Sequence, residues 1–192
     1  MAENKFDFKK FCDDSKQTLI SPADYFRSMP KTGGLTDPLI KAAIYGLVAG
    51  VILLVLGLIN MGPAFAYRFG GGAGLSGLIF GVIVAIILLF IGGLIVLVLS
   101  AISGGATDFE ACVRIMAAVM VLWPVQAVLS ILYRVSWQLG GLVAMLVSLY
   151  GIWMIYLALV HCLKAKEKTA MIVCIVLAVL VALSHLGPVG RM

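Results

Sequence analysis

LSGLIFGVIVAIILLFIGGLIVLVLSAI, the stretch from Leu75 to Ile102, runs without one charged side chain. As a helix rising about 1.5 Å per residue, it is longer than the roughly 30 Å hydrocarbon core of a bilayer, so tilt or a bend is expected. Four comparable apolar runs flank it: Leu39–Ile59, Ala111–Tyr133, Trp137–Leu163 and Thr169–Gly187. Five such runs in 192 residues predict an all-α polytopic membrane protein, a bundle of five transmembrane helices over 39–59, 75–102, 111–133, 137–163 and 169–187. The runs lack the alternation of barrel strands. The remainder, residues 1–37, reads as a short N-terminal tail with amphipathic helices, and residues 38–192 as one membrane domain. At 62% hydrophobic and 12% charged, the composition carries about half the charge of a globular domain.

The basic residues orient the bundle. Alternating the loops places Lys5, Lys9, Lys10, Lys16, Arg27, Lys31, Lys41, Arg114, Lys164, Lys166 and Lys168 on one side, leaving Arg68, Arg134 and Arg191 on the other. The positive-inside rule then puts the N-terminus in the cytoplasm and the C-terminus across the membrane, which we expect to be the cell inner membrane. The net charge of +5 reflects this orientation; no soluble basic module with interleaved aromatics points to nucleic acid. No cleavable signal peptide is expected, because a polar stretch precedes the first apolar run. Cys12, Cys112, Cys162 and Cys174 read as free thiols.

In the tail, Phe8, Phe11, Cys12, Ser15 and Leu19 recur at helical spacing, with Lys9, Lys10 and Lys16 on other faces. The pattern fits either a partly disordered arm or a helix on an anionic leaflet. In the helical reading Phe8, Lys9, Lys10, Phe11 and Lys16 contact anionic lipid at the cytoplasmic membrane surface. Ser21-Pro22-Ala23-Asp24 predicts a second short helix from which Tyr25, Phe26 and Met29 face the membrane, ended by Lys31-Thr32-Gly33-Gly34. Asp37-Pro38 opens the first span.

Inside the spans, small residues are the packing signal. Gly46 and Gly50, and Gly77 and Gly81, form GxxxG pairs that predict close contact of the first two spans, or contact between copies in a homo-oligomer. Gly92-Gly93 and Pro124 are expected flex or kink points. Gln126 and Ser148 are the main polar groups at depth, as substrate contacts or interhelical hydrogen bonds. No carboxylate or lysine lies near the midplane, which argues against ion-coupled transport. Thr107-x-x-Glu110 reads as a capping box, with Glu110 and Arg114 spaced for a helical ion pair. Asp108 with Glu110 as an acid pair, or Cys112 with His161 and Cys162 as metal ligands, are weaker readings of the same face. The glycine-rich stretch 69–74 reads as a hairpin, lacking the strand and lysine of a phosphate loop. No catalytic constellation and no cofactor motif is evident, so a non-enzymatic protein is expected.

The order of parts resembles the Yip family (Ypt-interacting proteins). Pro22-Ala23-Asp24-Tyr25-Phe26, then Asp37-Pro38-Leu39 opening the first of five spans, is similar to that family. So are Gly104-Gly105-Ala106-Thr107-Asp108-Phe109 entering a span with Pro124 at its middle, and Gly151-Ile152-Trp153 through Tyr156 to His161 before a basic turn. The Asp-Leu-Tyr-Gly-Pro and Tyr-Glu-Gly motifs of eukaryotic members are missing, and the short tail and lean loops look like prokaryotic members. The resemblance implies a five-span membrane scaffold or membrane-organising protein. Small-GTPase binding and vesicle trafficking go with the missing motifs. A passive transporter, channel or lipid-handling protein with a cavity between kinked helices is the alternative.

Overall fold

A computed structural model describes residues 7–59, 61 and 75–186. The glycine-rich hairpin 69–74, the Gly62-Pro63 stop, Lys5, Arg68 and Arg191 lie outside them. Among the described residues the chain forms α1 (Phe8–Ile20), α2 (Pro22–Ser28), α3 (Thr36–Leu58), α4 (Leu75–Ile102), α5 (Phe109–Val119), α6 (Leu122–Leu129), α7 (Leu132–Val135), α8 (Trp137–His161) and α9 (Glu167–Leu186). Five helical segments are long and apolar enough to cross a membrane: α3, α4, the joined α5–α7, α8 and α9. Their outer faces carry exposed Val51, Val55, Ile83, Ile87, Ile91, Leu94, Ile172 and Leu180, a continuous apolar coat that only lipid covers without cost.

The third span is the hub and the fifth is peripheral: half of the former's most apolar window is buried against 11% of the latter's. Its first part packs on α4 and its second on α3 and α8, while α9 leans on α8. Pro124 explains why this span is divided. Having no N–H, it cannot bond the Met120 carbonyl four residues back, and its ring crowds that oxygen. The chain tightens instead, with Val121 N donating to Ala118 O at 3.2 Å and Trp123 N to Met120 O at 3.0 Å, so the break falls one turn before the proline. A second tight turn at Ser130, whose Oγ donates to Ala127 O at 2.7 Å, sets off α7.

Between the first two spans, backbones touch through small residues. A Cβ on Gly46 would lie 2.6 Å from the Ala85 Cβ and 3.2 Å from the Gly81 carbonyl; one on Gly50 would lie 3.2 Å from Leu78 Cδ2. The packing of Gly77 lies outside what is described. Gly92 and Gly93, expected as flex or kink points, have a packing role. The α4 helix runs unbroken through them and they form a notch for the third span: a Cβ would meet Met116 at 2.6 Å and Val113 at 2.8 Å respectively.

Candidate functional site

Among the described residues, most of the polar chemistry gathers at the end of the bundle where α1 and α2 sit, here called the tail face. The α1 helix is N-capped by Asp7, which accepts from Lys9 N at 2.9 Å and Lys10 N at 3.1 Å. Its inward stripe is Phe11, Ser15, Thr18 and Leu19. The Phe11 ring packs tilted against the Tyr45 ring of α3, centroids 5.2 Å apart, and Ser15 Oγ lies 2.7 Å from the Tyr45 hydroxyl. Thr18, buried, donates to Asp14 O at 2.6 Å, and Tyr150 of α8 donates to Leu19 O at 2.6 Å. In α2, Phe26 is 1% exposed and contacts Tyr25 edge to face at 5.5 Å.

Two expectations are corrected here. Phe11 is buried against the bundle, not among acyl chains, and Tyr25, Phe26 and Met29 are buried under the tail instead of facing lipid. An amphipathic pattern specifies an apolar face but not its cover, and the cover is protein. Phe8 is the exception at 66% exposed, with Lys9, Lys10 and Lys16 exposed around it.

Beneath the tail runs a relay of charges. Asp14 Oδ2 meets Lys41 Nζ at 2.9 Å, Lys41 meets Asp37 at 3.4 Å, and Asp37 meets Arg114 at 3.7 Å. Arg114 Nε reaches Glu110 Oε1 at 3.1 Å. The glycine turn closes the chain through both backbone polar groups of one residue: Gly34 N donates to Glu110 Oε1 and Gly34 O accepts from Arg114 Nη2, each at 2.7 Å. Positive φ at Gly33 (132°) and Gly34 (85°) makes that turn, and a Cβ on Gly33 would come within 3.0 Å of Arg114. Lys41 and Arg114 are 8% and 7% exposed, so each requires its carboxylates. Burial raises the Tyr25 phenol above its ordinary value, against the pull of the neighbouring Lys41 ammonium.

The cap of the third span also differs from expectation. Asp108, not Thr107, is the N-cap, its carboxylate accepting from Glu110 N at 3.0 Å. Glu110 therefore does not close a capping box; it is committed to Arg114 and Gly34. With Asp108 in the cap and Glu110 in the relay, the two acids are not paired with each other. Among the described residues no three His, Cys, Asp or Glu side chains form a metal-holding group, and the thiols of Cys112, Cys162 and Cys174 are buried. A cleft of about 430 Å³ remains between α1, the 29–36 segment and α3, walled by Asp14, Tyr25, Asp37, Lys41 and Arg114, all already partnered.

Reading the residues alone missed the bridging role of Asp37, taken as a helix opener, and the latches Tyr45 and Tyr150. The available signal was Lys41, an ammonium one turn inside a span with acids at Asp14 and Asp37. A second concavity, about 280 Å³, opens between α3, α6 and α8 in the half of the bundle away from the tail; Gln126 and Ser130 line it with Trp123, Tyr133, Ala49 and Ala144. Ser148 is not in it, donating to Ala144 O of its own helix at 2.9 Å.

Fold and site together define a polytopic helical membrane protein with its polar groups assembled at one face. The chain matches the Yip1 domain over residues 16–187, about nine-tenths of its length, and belongs to that family. No curated protein and no solved structure matches it.

Proposed function

We propose that this Yip1-domain protein is a non-enzymatic membrane scaffold whose working surface is the tail face, held in the cytoplasm of a cell by the positive-inside bias and set in the inner membrane. The observation that supports this reading is the relay Asp14–Lys41–Asp37–Arg114–Glu110. It ties α1 to the first and third spans, so the tail is a rigid platform continuous with the bundle and not a free arm. Its acids and bases are partnered with one another, which leaves shape and outward charge as the means of acting. Outward, α1 presents Phe8 and Ile20, 66% and 69% exposed, flanking Lys9 and Lys16. Apolar ends around basic residues suit an anionic leaflet, where each cation near the surface contributes on the order of 1 kcal/mol.

Cys12 makes the reading testable, because it is the exposed thiol on α1 while the other three cysteines are buried. A polarity-sensitive dye on Cys12 of the reconstituted protein should shift to the blue in anionic vesicles relative to neutral ones. The shift should disappear in Lys9→Glu/Lys16→Glu and shrink in 1 M salt. Identical spectra in both vesicles would refute an anionic-lipid platform. Orientation is checked separately: a reporter inserted after Lys166 should face the cytoplasm and one after Val135 should face away.

A further inference from the structure

The groove between α3, α6 and α8 carries a chemistry that the platform reading does not use. Its lining has no charged residue; Ala49, Gly140 and Ala144 make it concave, and Trp123 flanks it. Gln126 is exposed on it, and among the described residues its side-chain amide has no hydrogen-bond partner. That amide lies deep. Tyr133 and Trp137, with rings 5.1 Å apart and Trp137 47% exposed, mark the interfacial level at the far end of the bundle. Gln126 is seven residues before Tyr133, about 10 Å along the span from that level. An unpartnered amide in hydrocarbon is unfavourable, so the occupant of the groove must bring a hydrogen-bonding oxygen to that depth.

We propose that the groove binds a neutral lipid without a charged headgroup, of the diacylglycerol type, with an ester or hydroxyl oxygen on the Gln126 amide and an acyl chain along Ala49 and Ala144. Two features disfavour a phospholipid. Uncharged walls offer no counter-ion to a phosphate. A phospholipid's ester oxygens are anchored at the interface by its headgroup, above the Tyr133–Trp137 level, whereas a diacylglycerol can sink to Gln126.

Trp123 is the built-in reporter. Trp137 and Trp153 are both 47% exposed and can be removed as Trp137→Phe and Trp153→Phe, leaving Trp123 as the fluorophore. In nanodiscs of unbrominated lipid, diacylglycerol with dibrominated chains should half-quench Trp123 at a mole fraction at least fivefold below that of phosphatidylcholine with the same chains. Gln126→Leu should bring the two lipids within twofold of each other, and Ala144→Leu, which fills the floor, should remove quenching by the diacylglycerol. Equal quenching by both lipids in the parent, or an unchanged preference in Gln126→Leu, would overturn the proposal. So would a change in the oligomeric size of Gln126→Leu in detergent, which would assign the amide to a contact between copies.

Discussion

The two ends of the bundle treat polar groups in opposite ways. At the tail face, two nearly buried cations are surrounded by three carboxylates and a peptide carbonyl, and their contacts with one another hold the tail down. In the far half, a single amide stands in an uncharged groove with no partner among the described residues. The first arrangement is closed and therefore structural; the second is open and therefore available to a ligand. A membrane protein has no water in its core to satisfy such groups, so the state of satisfaction itself separates architecture from site.

The sharpest way to break this contrast is Arg114→Ala. It strips Glu110, Asp37 and the Gly34 carbonyl of one shared partner, and loss of one member of a buried ionic network costs about 3–5 kcal/mol. A large drop in melting temperature in detergent is the expected result; an unchanged melt would mean the relay holds nothing. Gly46→Leu/Gly50→Leu tests the seam that joins the two ends. With Ala85 and the Gly81 carbonyl already in contact range, overpacking should cost about 1–3 kcal/mol per site or change the size of the detergent particle. Tyr150→Phe removes one hydrogen bond, to the Leu19 carbonyl, and should cost about 1 kcal/mol. Gln126→Leu should be the mildest: it removes an amide that no described residue partners, so the melt should stay where it is or rise. A melt as damaged as that of Arg114→Ala would show that the amide is structural after all.

What was legible in the sequence follows what the bilayer dictates. Span number and approximate bounds are set by hydrocarbon thickness, so Leu75–Ile102 and the run beginning at Trp137 read directly. The Glu110–Arg114 pair was legible because helical spacing is local. Other residues depend on what lies across from them. Gly92-Gly93 look like a hinge until Met116 and Val113 are seen filling the space. Phe11 and Phe26 show an amphipathic face, but only the fold says that α3 and α8, not lipid, cover it. Thr107 and Asp108 both satisfy a cap pattern one residue apart, and the choice is made by Glu110 being drawn away to Gly34. Lys41 counted only toward orientation, since its shorter ion pair is with Asp14 on another helix.

Hydrogen exchange across residues 8–28 in nanodiscs tests the central claim most directly, that the tail is one rigid piece with the bundle through the Lys41–Arg114 relay. Amides of α1 and α2 should exchange as slowly as those at the tail-face ends of α3 and α8, and should lose protection together in Arg114→Ala. Exchange of residues 8–28 at the rate of an unstructured chain in the unaltered protein would contradict the account.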